Sequence, residues 1–227
     1  MKILAIDTAT QSCSVAVTDE GFLAAELTLM KSQTHSRHLM ELIHSVLGSA
    51  GFGVSNLDGL AVTIGPGSFT GLRIGISTIK GLAYALDKPA VGISSLEALA
   101  YQCAKTPYLI CPLLDARKGE VYGATYRFDH DQLIQQSGPR AMVPEAACKD
   151  IDAPCVFIGS GAQLYHQSIA AALGSLAHFV ARDQNIIRAS SVAFLSMTRF
   201  KTHDVDEVAG LVPQYIRKSD AELHFGQ

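Results

Sequence analysis

Apolar and polar positions alternate in blocks along the chain, and the order of the blocks predicts strands first, then strands and helices in turn. Ile3 to Ile6 is a short apolar run closed by Asp7 and a polar turn, Thr8-Ala9-Thr10-Gln11-Ser12. Cys13 to Val17 reads as a strand of small side chains, Gly21 punctuates, and Phe22 to Leu29 is a third strand. Short turns between them predict an antiparallel meander. Residues 35 to 50 place Leu39, Met40, Ile43, Val46, Leu47 and Ala50 at helical spacing, with Thr34 or Ser32 to cap the start and Gly51 to close the end. Leu60 to Ile64 is a buried strand ending in Gly65-Pro66-Gly67. A second helix runs from about Thr70 to Leu86. Ala90 to Ile93 is a strand, and Ser94 or Ser95 caps a helix to about Ala104.

The second half repeats this plan. Tyr108 to Leu114 is an apolar run ending at Asp115, followed by the turn Ala116-Arg117-Lys118-Gly119 and a strand from Glu120 to Tyr126. Leu133-Ile134 falls in a further strand. Cys155 to Ile158 is a strand closed by Gly159-Ser160-Gly161, and Gln163 to Leu173 is a helix. Asp7 therefore matches Asp115, and the two glycine turns match each other. A repeat of this length is a domain duplication rather than a solenoid period. Alternating strands and helices predict an α/β layout with helices covering the sheets. Pro107 marks the break, which divides the chain into residues 1–104 and 105–227, with the C-terminal segment able to return to the first domain.

Composition narrows the function. The chain has 227 residues and a net charge of -3, and 17% of its residues are charged. Basic residues run no longer than a pair, as at Arg217-Lys218, so the sequence shows no patch with which the chain alone would grip nucleic acid. Five cysteines, an odd number, form no C-x-x-C pair, which excludes a disulfide framework and a zinc ribbon and fits reduced thiols in a cytoplasmic protein. No apolar run approaches the length that spans a membrane.

Each chemical signal has two readings. Asp7 and Asp115, at matching strand ends, suit a metal-bound nucleotide, or else each caps its own turn. Gly65 to Arg73, G-P-G-S-F-T-G-L-R, combines a sharp turn with a helix N-terminus. It lacks the Lys of a Walker A loop, so tight packing is the better reading. His35 and His38 share a helix face, but two neutral ligands without a third make no zinc site, and surface or interface histidines fit better. No G-x-S-x-G elbow is present. On the second helix Gly71, Gly75, Ser77, Thr78, Gly81 and Ala85 crowd one arc, and Arg73, Lys80 and Tyr84 form a narrow polar stripe. Glycines inside a helix cost about 1 kcal/mol each relative to Ala. The arc therefore calls for close approach of another backbone, from this chain or a partner.

A-I-D-T-A-T at residues 5–10, G-P-G-S-F-T-G-L-R-I-G at 65–75, L-D-A-R-K-G-E-V-Y at 114–122 and P-Q-Y-I-R at 213–217 together resemble the TsaB family, formerly YeaZ. The resemblance covers nearly the whole chain, most loosely over residues 129–205. It implies an actin-like, sugar-kinase-like (ASKHA) fold of two duplicated ribonuclease-H-like domains. It also implies a non-catalytic, cytoplasmic scaffold that binds TsaD, and through it TsaE, for transfer of a threonylcarbamoyl group to the adenosine beside the anticodon of tRNA. On this reading tRNA is bound only through the complex, the isolated chain is either a homodimer or a monomer, no cofactor is held, and no membrane is involved. The family's usual dimer surface falls on residues 35–50 and 70–86, which makes His35, His38, Leu42, Gly71, Arg73, Gly75, Thr78 and Gly81 the expected partner contacts. Fold relatives that bind ATP carry a glycine in the first turn, where this chain has Ala9. The alternatives are an ATP-dependent phosphotransferase using Asp7 and Asp115, and a glycoprotease-like metallopeptidase, for which no residues are found.

Overall fold

The computed structural model describes residues 1–30, 35–103 and 106–217, with the backbone alone for residues 35–37. The expected caps Ser32 and Thr34 and the side chain of His35 lie outside the described residues. Two compact units divide the chain, one of residues 1–98 and 187–213, the other of residues 99–186 and 214–227. Residues 187–213 group with the first unit, where their helix covers a face of the sheet.

The first unit holds β1 (Ile3–Asp7), β2 (Ser12–Asp19), β3 (Phe22–Met30), β4 (Gly59–Gly65) and β5 (Ala90–Ser94), ordered β3-β2-β1-β4-β5, and the short helix α3 (Ser95–Tyr101) follows β5. β1 pairs antiparallel with β2 and parallel with β4, and every residue of β1 is buried. The reason is that helices lie over both faces of the strand. On one face sit α1 (His35–Ala50) and α2 (Phe69–Leu86), and on the other α7 (Ala189–Lys201). Leu39, Leu42, Ile43, Val46 and Leu47 are the buried side of α1. Gly51, at φ +73°, closes α1 with hydrogen bonds from Phe52 N to the Leu47 carbonyl and from Gly51 N to the Gly48 carbonyl, the two bonds of a Schellman motif. α7 packs closely because the sheet beneath it is small: a Cβ at Gly59 would stand 2.7 Å from the Phe200 ring. Its first N–H groups are capped from the sheet, Ala189 N donating to Ser14 Oγ (3.0 Å) and Ser190 N to Glu26 Oε1 (2.9 Å).

The second unit repeats the order with β6 (Leu109–Arg117), β7 (Glu120–Asp129), β8 (Gln132–Met142), β9 (Cys155–Ile158) and β10 (Ala177–Phe179), arranged β10-β9-β6-β7-β8. Pairing directions match strand for strand. Its core joins Cys111, Leu113, Val121, Cys155 and Phe157 to the helices α4 (Pro144–Cys148), α5 (Ser160–Leu164) and α6 (His166–Leu173). The duplication read from the sequence is thus a duplication of topology. β8, of which Leu133-Ile134 is a fragment, extends to eleven residues as an edge strand that tolerates Pro139.

Candidate functional site

Asp7 ends β1 and is fully buried. Thr63 Oγ1 donates to its Oδ1 at 2.7 Å, and Ala9 N donates to the same oxygen at 3.2 Å. Oδ2 has no partner among the described residues. Burial raises the carboxyl pKa to about 7, against the lowering pull of the Thr63 and Ala9 bonds. The start of α2 packs against the turn that follows Asp7. A Cβ at Gly71 would overlap the Thr8 carbonyl, one at Gly75 the Thr8 hydroxyl, and one at Gly67 the Ala9 carbonyl. Hydrogen bonds finish the clamp: Thr8 Oγ1 donates to the Gly71 carbonyl at 2.8 Å, and Ser68 N to the Ala9 carbonyl at 2.7 Å. Ser68 Oγ caps the helix by accepting from Gly71 N at 3.2 Å. The glycine motif therefore serves close packing of a helix end on the first turn of its own unit, next to the buried Asp7.

Asp115 is the counterpart in the second unit, its side chain 25% exposed. Its Oδ1 accepts from Arg117 N at 2.9 Å, two residues on, as Asp7 accepts from Ala9 N. Each aspartate caps the turn that follows it, which is the structural one of its two readings. Asp115 N donates to Ser160 Oγ at 3.2 Å, and a Cβ at Gly161 would stand 3.0 Å from the Leu113 carbonyl. The second glycine turn thus packs on the end of β6 as the first packs on β1.

The expected partner contacts separate into two groups. Leu42 is 6% exposed and belongs to the core of the first unit, while Gly71 and Gly75 are buried against Thr8. These three are corrections, because their neighbours are inside the unit. The small-residue arc merged two directions: Gly71 and Gly75 point inward, Gly81 and Ala85 outward, and Thr78 lies half-buried on the boundary with its hydroxyl bonded to the Ile74 carbonyl. The outward face of α2 carries Arg73, Ser77, Gly81, Tyr84 and Ala85. That of α1 carries Met40, Glu41, His44, Ser45 and Gly48, with His38 half-buried and its Nδ1 3.3 Å from Glu41 Oε2. Tyr84, on the polar stripe, at 65% exposure and Met40 at 53% are the large side chains on this face that the expected contacts leave out. The spacing 73, 77, 81, 84 was the available signal, since it marks one stripe of a helix.

No group of three or more His, Cys, Asp or Glu among the described residues is placed to hold a metal ion. All five cysteines are buried free thiols, and no described helix is long and apolar enough to cross a membrane.

Two sheets of one topology, each with a strand-end aspartate and a glycine turn at matching places, define the actin-like ASKHA class. Component A of (R)-2-hydroxyglutaryl-CoA dehydratase from Acidaminococcus fermentans shares the fold at a TM-score of 0.53 and 11% identity, covering 88% of this chain and 98% of that one. A family model described as TsaD, tRNA N6-adenosine threonylcarbamoyltransferase, matches residues 29–225. The tRNA threonylcarbamoyladenosine biosynthesis protein TsaB of Bacillus subtilis is 36% identical over 226 residues, 98% of this chain and 96% of its own length. YeaZ from Pseudomonas aeruginosa superposes with a TM-score of 0.83 at 27% identity, covering 94% of this chain and 99% of that one. The chain belongs to the TsaB (YeaZ) family of tRNA threonylcarbamoyladenosine biosynthesis.

Proposed function

We propose that the chain is the non-catalytic subunit of the threonylcarbamoyl-transfer machinery, docking on TsaD through the outward face of α1 and α2. TsaE joins through that pair, and the tRNA adenosine beside the anticodon is modified at the TsaD active site. The observation that carries the reading is the exposed face itself: two neighbouring helices present Met40, His44, Arg73, Gly81 and Tyr84 outward, where Tyr and Arg are the side chains that most often anchor interfaces. The match to the TsaD family model supports a partner of related fold. Four helices from two such chains pack at axis separations of about 8–10 Å, and the open space around Gly81 and Gly48 suits that approach. The same geometry joins two copies of this chain when TsaD is absent. The burial of Asp7 within its unit weighs against the phosphotransferase alternative. Co-elution with TsaD tests the reading. Tyr84→Arg and Gly81→Arg are expected to keep the melting temperature of the isolated chain and to lose TsaD. Unchanged TsaD binding by both variants refutes the assignment of the face.

A further inference from the structure

The chain after α7 is tied down more firmly than an irregular surface segment needs. Residues 202–213 form no helix and meet the sheet at an antiparallel bridge between Asp206 and Ala90 of β5. Asp206 N donates to the Ala90 carbonyl at 3.0 Å, and Gly92 N donates to Asp206 Oδ2 at 2.7 Å. Arg199, in the last turn of α7, donates through Nε to Asp204 Oδ2 at 2.8 Å, through Nη2 to Asp206 Oδ1 at 3.1 Å and through Nη1 to the Gly92 carbonyl at 3.1 Å. Leu211 is buried, and its Cδ2 would stand 3.3 Å from a Cβ at Gly92. These contacts cover the open edge of β5.

Lys80 adds a tie that edge protection does not call for. It stands on the polar stripe of α2 with Arg73 and Tyr84 and is half-buried. Its Nζ donates to the Ala209 carbonyl at 2.8 Å and to the Leu211 carbonyl at 3.3 Å. Lysine heads ordinarily stay in water. Here the head draws residues 209–211 against the flank of α2, about one helical turn from Tyr84. The next residue, Val212, is 59% exposed, beside the 65% of Tyr84. Val208-Ala209-Gly210-Leu211-Val212-Pro213 carries no charged side chain. The outward surface of α2 therefore continues onto an uncharged strap, in which Ala209 and Gly210 are too small to hold a partner off and Pro213 fixes its own φ.

We propose that residues 209–213 are a third element of the face that docks TsaD, with Val212 packing on the partner beside Tyr84 and with Lys80 as the positioning residue that holds the strap ready. The inference rests on the docking reading of α1 and α2 and extends its surface. The occupant follows from continuity: a partner that covers the outer face of α2 reaches the strap bonded to that helix. An uncharged, apolar strip is what the centre of an interface requires, since charged side chains are depleted there. The strap is already fixed from Asp204 to Leu211, so it need not be ordered on binding, which lowers the entropic cost of docking.

The test is isothermal titration of the full chain with purified TsaD, beside hydrogen exchange of the free chain and of the complex. Val212→Asp is expected to weaken binding about tenfold or more, because it buries an unpaired carboxylate, and to keep the melting temperature, because the position is exposed. Lys80→Met should weaken binding about threefold or more by leaving the strap to be ordered on docking, and Lys80→Arg should restore it. The Gly210 and Leu211 amides, bonded to the Glu207 and Val208 carbonyls, exchange faster in free Lys80→Met and slow down in the wild-type complex. Phe22→Asp, at an exposed apolar position on β3 at the other edge of the sheet, leaves affinity unchanged. The proposal is overturned by wild-type affinity in Val212→Asp, by an equal loss in Phe22→Asp, or by strap amides that TsaD does not protect, the last decided without any variant. Wild-type affinity in Lys80→Met overturns the positioning role. Tyr84→Arg, scored alongside, separates the two readings. If it loses TsaD while Val212→Asp binds normally, the strap fails and the docking face stands; if both bind normally, both fail.

Discussion

Replacing Asp7 by Asn is expected to stabilise the first unit, and to do so only as pH rises. In the folded chain the Asp7 carboxyl has a pKa of about 7, against an ordinary value of 3.8, because burial penalises its charge more than the Thr63 and Ala9 bonds relieve it. The sign follows from proton binding. Between these two values the folded state holds a proton that the unfolded chain has released, so stability falls as pH rises through that window and stays low above it. A difference of about three units corresponds to roughly 4 kcal/mol lost above neutrality. Asn carries no charge at any pH and keeps an oxygen for Thr63 and Ala9. Its amide group replaces Oδ2, which has no partner among the described residues, and that unsatisfied donor costs about 1–3 kcal/mol. The net gain near pH 8 is therefore about 1–3 kcal/mol. The difference between variant and wild type should grow by about 2–3 kcal/mol from pH 5 to pH 8. Urea unfolding followed by far-ultraviolet circular dichroism measures this, with hydrogen exchange of β1 and β4 amides as the reading local to the site. A variant advantage that is the same at pH 5 and pH 8, or a variant less stable at pH 8, refutes the reasoning.

Two further outcomes follow from the same packing. Gly75→Ala drives a Cβ into the Thr8 hydroxyl with Val62 Cγ2 3.3 Å away, and should lower stability by about 1–3 kcal/mol, whereas Gly81→Ala, in open space on an exposed turn, should raise it by about 0.5–1 kcal/mol. Thermal melts of the two variants check this, and equal shifts would show that the glycines of α2 are not divided between inner and outer roles. Isothermal titration of the isolated chain with ATP and magnesium should show no binding, because Asp7 is buried and the glycines of α2 are packed against Thr8 beside it. Micromolar affinity, or turnover that disappears in Asp7→Asn, would restore the phosphotransferase reading.

Strand-and-turn order was legible because it is local. A strand ending in Asp, a polar turn and a small-residue strand are written within about twenty residues, and the pattern recurs around Asp115. α7 was not legible. Its sequence, ASSVAFLSMTRFK, starts with three small residues and carries Ser190, Ser191 and Ser196 among its buried positions, so no apolar stripe announces it. Those serines are buried because the sheet below is itself polar at the contact, with Ser14 and Glu26 receiving the N–H groups of Ala189 and Ser190. A helix satisfied by residues more than one hundred and sixty positions away leaves no local trace of that satisfaction.

The glycines of α2 show where the candidate site was readable in kind and not in direction. Three glycines in one helix do imply close approach of a backbone, and the chain contains that approach: the carbonyls of Thr8 and Ala9 occupy the space at Gly71 and Gly67. Composition names the need without naming who meets it. Gly71 and Gly75 lie one helical turn apart and face the sheet; Gly81 lies six residues beyond Gly75, about 120° round the helix from it, and faces away. The phase, rather than the glycine count, divides the helix. Its inner half packs on the first turn, beside the buried Asp7, and its outer half presents Arg73, Gly81 and Tyr84 to whatever lies outside the unit. In the proposed reading these are one device: the contacts that pack α2 beside Asp7 also hold it rigid enough to serve as a docking surface, so a fold built around a strand-end aspartate has that position buried and its helix end turned to binding a partner.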